Sequence, residues 1–250
     1  MKNKIGIFDS GLGGLSILKN LIKELPNENY IFYEDSINNP YGDKSYAELM
    51  RIVCKIIDFL INENCKLIII ACNTATTMCI NDLRNKYPDI IFVGTVPAIK
   101  VAFDSHYKNV IILSTPNTSK SKEVLKLINN YKNNDEIINN LSGENLANLI
   151  ELDKKEDINI LLHKLLDEYK DNCDALVLGC THYSLIKNEF KSVLPNTILL
   201  DGVIGITNEV RHQLEINNLL SEGVEKGSIK IINSKSDELI KKSLDFLRRS

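Results

Sequence analysis

Two of the six cysteines stand in matching surroundings. Cys65-Lys-Leu-Ile-Ile-Ile-Ala-Cys72-Asn-Thr and Cys173-Asp-Ala-Leu-Val-Leu-Gly-Cys180-Thr-His resemble each other at a common offset of 108 residues. In both, an apolar run of strand character delivers a thiol and then a polar pair, Asn73-Thr74 or Thr181-His182. Two opposed thiols suit inversion of an α-carbon, because one can take a proton from one face while the other delivers a proton to the opposite face. A free cysteine titrates at about 8.5 and moves toward about 7 at a helix N-terminus, so one member can wait as thiolate and the other as thiol. Each cysteine precedes a turn into an expected helix, whose N–H groups and dipole favour the anion.

The neighbouring polar residues complete such a site. Asp9 closes the first apolar run and is expected to serve Cys72, and His182 to serve Cys180. Ser10, Asn73, Thr74 and Thr181 are neutral hydrogen-bonding residues of the kind that orient a carboxylate in a small-molecule pocket. Further polar stations follow other apolar runs: Asp35 with Pro40-Tyr41-Gly42, and Ser114-Thr115 with Thr118. Cys54, Cys65, Cys79 and Cys173 read as small apolar core residues. No C-x2-C pair and no i,i+4 histidine pair occurs, so neither a metal site nor disulfides are expected. His163 reads as surface or core edge of a helix over 158–169, and His106 and His212 have no evident partner. By pattern alone Glu151 is a solvated helix residue in a charged stretch.

Positioning these residues falls to alternating strands and helices. Strands are expected at 4–8, 30–33, 67–70, 90–94, 109–113, 175–178, 197–200 and 228–232. Between them, Leu15, Leu18, Ile22 and Leu25 share one helical face, as do Leu49, Val53, Ile56 and Leu60. A final helix should start after Ser236, with Asp237 and Glu238 in its first turn and Arg248 and Arg249 in its last. This order is that of an α/β protein with parallel sheets. Asp9-Ser10 and Ser114-Thr115 echo one another at an offset of 105 residues, so the chain reads as two similar, duplicated parallel-sheet domains of flavodoxin or Rossmann type. The expected division is 1–96 plus 207–250 against 97–206, with the active site between the two.

Composition bounds the rest. In 250 residues, 44% hydrophobic content, 25% charged content and a net charge of −3 exclude a mainly disordered chain and give no general field for nucleic acid. No apolar run reaches the roughly 18 residues of a membrane helix, and the start of the chain enters a strand directly without a secretory pattern, so a cytoplasmic location is expected.

The segments IGIFDSGLGG, NPYG, ACNTATT, VPAIK and GCTHYSL, in this order, resemble the signature segments of the cofactor-independent glutamate racemases, a likeness that spans nearly the whole chain. The THY continuation after Cys180 is closer to glutamate than to aspartate racemases. The resemblance implies Cys72 and Cys180 as catalytic acid/bases, with Asp9, Glu151 and His182 assisting proton transfer. It also implies substrate contacts at Asp9-Ser10, Tyr41-Gly42, Asn73-Thr74 and Thr181-His182, to which the Thr115 and Thr118 station is added. Two α/β domains, no cofactor, a frequent homodimer and supply of D-glutamate for cell-wall peptidoglycan come with it. Departures from the pattern are Leu146-Ala-Asn-Leu-Ile before Glu151, Ser184 at a usual proline and Ser36 at a usual threonine.

Two other classes compete. Gly11-Leu-Gly13-Gly14 suggests a nucleotide-binding module, but Ser16 stands in place of the third glycine, no G-K-[ST] appears, and Asp9 would face any pyrophosphate. A thiol redox protein would be expected to carry C-x-x-C, which is absent. Racemisation of aspartate or another amino acid is the nearer alternative.

Overall fold

The computed structural model describes residues 3–132 and 135–248. β1 (Lys4–Asp9), α1 (Leu15–Glu24), β2 (Asn29–Glu34), α2 (Tyr46–Asn62), β3 (Cys65–Ile70), α3 (Asn73–Lys86) and β4 (Ile91–Gly94) come first. The middle of the chain forms α4 (Ile99–Asp104), β5 (Asn109–Ser114), α5 (Pro116–Ser119), α6 (Lys122–Tyr131), β6 (Ile137–Ser142), α7 (Leu146–Glu151) and α8 (Lys155–Leu166). β7 (Ala175–Gly179), α9 (Lys187–Val193) and β8 (Ile198–Leu200) follow, and α10 (Val203–Ile216), β9 (Ile229–Asn233) and α11 (Asp237–Arg248) close the chain.

Two compact units result: residues through Thr95 together with those from Val203 onward, and Val96–Gly202. Residues 203–206, expected with the second domain, lie in the first unit because they begin α10. Ile206 is buried in that unit's core and Val203 packs against it. Each unit holds one wholly parallel sheet, ordered β4-β3-β1-β2-β9 in the first and β6-β5-β7-β8 in the second. Read from its other edge, the second sheet is β8-β7-β5-β6, the order of the first without β9. The duplicated sequence therefore folds as a duplicated topology. In each sheet the chain leaves the first strand in one direction and returns to pair on its other side, and beyond the strand ends at such a reversal α/β proteins bind ligands.

Parallel strands covered on both faces need near-continuous apolar runs. β3 and β7 are buried along their whole length, and separate apolar clusters fill the two faces of each sheet. The eight expected strands are present with ends moved by one or two residues. β6 was not expected: its sequence, IINNLS, carries two asparagines, and as a partly exposed edge strand it needs no apolar alternation. Ser45 caps α2 by accepting from the Glu48 N–H, and α11 begins at Asp237 as expected; Arg249 lies outside the described residues. Among the described residues no helix is long and apolar enough to cross a membrane.

Candidate active site

In the first unit the carboxyl ends of adjacent strands align. The Ala71 N–H donates to the Phe8 carbonyl and the Asp35 N–H to the Asp9 carbonyl, both at 2.9 Å. This ladder sets Cys72, Asp9 and Asp35 side by side where β3, β1 and β2 end. Cys72 is the N-cap of α3, and its carbonyl accepts from Thr76 at 2.9 Å. Thr76 and Thr77 turn their hydroxyls back onto the Ile70 and Asn73 carbonyls, which holds this first turn in place. Asp9 is fully buried; its Oδ1 accepts from the Ser10 N–H at 2.6 Å and from the Ser10 hydroxyl at 3.2 Å. Gly14 packs closely beside it: a Cβ there would lie 3.0 Å from both Asp9 Oδ2 and the Ala71 Cβ, so these neighbours would have to yield slightly.

Tyr41 completes this half. Its hydroxyl donates to Asp35 Oδ2 at 2.6 Å, and Asn38 Nδ2 donates to both Asp35 oxygens at 2.9 and 3.0 Å. Burial pushes the phenol well above its ordinary range, and the negative charges of Asp35, Cys72 and Asp9 push it further. Tyr41 is therefore a neutral hydroxyl within the electrostatic reach of both Asp9 and Cys72. Gly42 is buried beside it.

In the second unit β5 and β7 bring Ser114 opposite Gly179, immediately before Cys180. Cys180 caps a six-residue 3-10 helix, Thr181–Ile186, rather than the expected α-helix, which starts only at Lys187. The tighter turn carries His182 back beneath the thiol. Cys180 Sγ lies 3.9 Å from His182 Nδ1, and His182 Nε2 lies 2.6 Å from Glu151 Oε2. Glu151, a solvated residue by pattern alone, ends α7 with its side chain 13% exposed. Burial alone would lower the His182 pKa; hydrogen bonds to Cys180 and Glu151, with the charge of both, outweigh it and hold the imidazole well above the usual histidine range. Thr181 is buried, and the Thr115 hydroxyl donates to that of Thr118 at 3.0 Å across the start of α5.

Within the first unit the fold thus gathers Asp9, Ser10, Tyr41, Gly42, Cys72, Asn73 and Thr74. Within the second it gathers Glu151, Cys180, Thr181 and His182, with Thr115 and Thr118 at the neighbouring strand end. Ser184, the departure from proline, donates to Asp201 Oδ2 at 3.2 Å, and Lys187 pairs with the same oxygen at 2.6 Å, tying the 3-10 helix to the end of β8. Asp201 and Tyr183 carry no sequence signal for this support. Tyr183 is fully buried and donates to the Gly143 carbonyl at 3.3 Å. Among the described residues Asn73 Oδ1, Thr95 Oγ1 and Ser114 Oγ are buried without a hydrogen-bond partner. Thr95 was passed over in the sequence although it follows β4 directly, the one signal that marks it.

The remaining cysteines behave differently. Burial pushes Cys65 and Cys79 up to about 12 and raises Cys173, so these thiols stay protonated and inert. Cys65 and Cys79 are core residues as expected, whereas Cys54 and Cys173 are only half-buried. Among the described residues no cluster of three or more His, Cys, Asp or Glu could hold a metal ion.

The sequence model of the Asp/Glu/hydantoin racemase family matches residues 28–209. The chain belongs to this family. It is an isomerase, a racemase that inverts a stereocentre. The glutamate racemase of Clostridium acetobutylicum is 38% identical over 242 residues, covering 95% of this chain and 94% of that protein. Glutamate racemase of Francisella tularensis, solved with D-glutamate, is 26% identical with a TM-score of 0.83, over 100% of this chain and 94% of that one. The Escherichia coli glutamate racemase, solved with L-glutamate and the activator UDP-MurNAc-ala, is 29% identical with a TM-score of 0.84, over 99% and 96% of the two chains.

Proposed function

We propose that this racemase interconverts L- and D-glutamate without a cofactor, through Cys72 and Cys180 as the two acid/bases. The observation that carries the reading is the series Cys180–His182–Glu151, in which a largely enclosed carboxylate holds a buried imidazole against a strand-end thiol. Thiol, imidazole and carboxylate in series form an arrangement that stores and returns a proton. Asp9 serves Cys72 in the other half, beside the neutral hydroxyl of Tyr41. Ser10, Asn73, Thr74, Thr115, Thr118 and Thr181 are the polar side chains assigned to the substrate's carboxylates and amino group.

In one direction the Cys72 thiolate removes the α-proton and the Cys180 thiol protonates the opposite face; the reverse direction exchanges the roles. Both ends of the reaction leave one thiol and one thiolate, so no net proton is consumed. The resemblance to glutamate racemases extends the proposal to a cytoplasmic enzyme, a homodimer, and D-glutamate supply for peptidoglycan.

The test is metal-free, pyridoxal-free protein incubated separately with L-glutamate and L-aspartate in deuterium oxide, with products resolved by chiral chromatography. D-Glutamate carrying α-deuterium is the expected product. Inversion of aspartate alone would reassign the substrate, and wild-type rates in Cys72→Ala or Cys180→Ala would remove the two-thiol mechanism.

A further inference from the structure

A cavity of about 300 Å³ opens in the first unit where β2 ends. Its polar wall is Arg51 and Lys55 from α2, Asn38 and Asp35 from the loop after β2, and Ser234 after β9. Ile52 and Ile56 give it an apolar floor. The size falls at the lower end of small-molecule sites, and the mix of apolar floor and few polar groups is theirs as well.

The charge on this wall is unbalanced. Arg51 and Lys55 stand one helical turn apart, and among the described residues neither makes an ion pair. Like charges at i,i+4 disfavour a helix, so this spacing is a cost that an anion lying between them would reverse. Asp35 offsets one of these charges in part but forms an ion pair with neither, its oxygens being turned to Asn38 and Tyr41, so the wall carries two cations against one carboxylate. Arginine's planar fork matches a carboxylate or a phosphate, and the lysine adds a point charge.

We infer that this cavity binds a small organic anion, an apolar body carrying one carboxylate or phosphate group, held by Arg51 and Lys55. Its occupancy is transmitted to the candidate active site, since Asn38 and Asp35 line the cavity, Asn38 donates to Asp35, and Asp35 accepts from the Tyr41 hydroxyl. That second part rests on the reading of Tyr41 as a substrate contact; binding itself does not.

Phenyl phosphate, benzoate and uncharged phenol serve as probes, titrated against ¹⁵N-labelled full-length protein with the Arg51 and Lys55 signals followed by NMR. Saturable binding of phenyl phosphate or benzoate, but not of phenol, is expected, and the tighter of the two identifies the anionic group. In the double variant Arg51→Ala, Lys55→Ala the affinity should fall about tenfold or more while racemisation without probe is unchanged. Equal binding to wild type and double variant, or no saturation at millimolar probe, would overturn the site. The bound probe should also shift the KM for glutamate in the wild type and not in the double variant; binding without that shift would overturn the coupling alone. Absence of racemisation in the untreated wild type would count against the proposed function and leave the binding result standing.

Discussion

His182 Nε2 stands 2.6 Å from Glu151 Oε2, with the other ring nitrogen turned toward the Cys180 sulfur. A buried imidazole would ordinarily lose its proton, and here the two acceptors reverse that tendency. A group whose pKa is raised on folding stabilises the fold fully below its unfolded value, about 6.5 for histidine, and that contribution fades as pH climbs through the raised folded value. Glu151→Gln removes the charged partner. The stability lost in that variant, measured by urea denaturation, should be largest in mildly acidic solution below about pH 6.5 and shrink as the pH climbs, and the His182 ring signals should titrate at lower pH than in the wild type. An unchanged His182 titration would show that Glu151 does not hold the proton there.

The two thiols are predicted to be separable. With Cys180→Ser the Cys72 thiolate remains able to exchange the α-proton of one enantiomer with solvent, and with Cys72→Ser the Cys180 side exchanges the other. Full racemisation should fall by roughly 10²–10⁴-fold in both, the usual contribution of a positioned acid or base. Deuterium incorporation followed separately in L- and D-glutamate checks the pattern, and exchange of the same enantiomer by both variants would contradict opposed roles.

Most of the sheet framework was legible because buried parallel strands need long apolar runs, and β1, β3, β5 and β7 supply them. The thiols were legible because duplication placed the same strand-end pattern twice. Glu151 was not legible from its own surroundings: Glu144, Asp153 and Glu156 crowd the same stretch, and only tertiary packing of α7 against the 3-10 helix singles it out. β6 was missed since an edge strand needs little apolar content, and Thr95 since a strand end alone is a weak mark. Lys66 lies before the strand expected at 67–70, yet it belongs to β3 and is buried like the rest of that strand, at the point where the register with β1 shifts: Lys4 pairs with Cys65 while Ile5 pairs with Leu67.

Gly179 is predicted to be indispensable to the position of Cys180. A Cβ at Gly179 would stand 2.6 Å from the Ser114 Cβ and 3.0 Å from the Leu113 carbonyl oxygen, so β7 would have to move away from β5. Overpacking of this kind costs about 1–3 kcal/mol in stability. A displacement of about 1 Å at a reacting group costs about 100-fold in rate. Gly179→Ala should therefore keep a folded protein and lose activity chiefly in kcat. Wild-type kcat in this variant would show that the strand end tolerates the shift.

The buried Lys66 has a partner that makes its burial tolerable. Its Nζ lies 2.6 Å from Glu28 Oε2 and donates to the Leu219 carbonyl at 2.6 Å; the two side chains are 5% and 2% exposed. Glu28 in turn accepts from the Ser221 N–H at 2.8 Å and from its hydroxyl at 2.9 Å, so one ion pair anchors the segment that leads from α10 to β9. Truncating one member strands a buried charge, which costs about 3–5 kcal/mol, whereas replacing both with apolar groups of similar volume is often close to neutral. Lys66→Met should accordingly lower the urea midpoint strongly and loosen residues 219–221 in hydrogen exchange. Pairing it with Glu28→Leu should recover much of the loss in midpoint while leaving residues 219–221 less protected than in the wild type, because Ser221 has lost its acceptor. A double variant as unstable as Lys66→Met alone would mean that the pair is net stabilising, and that the anchored segment depends on its charge.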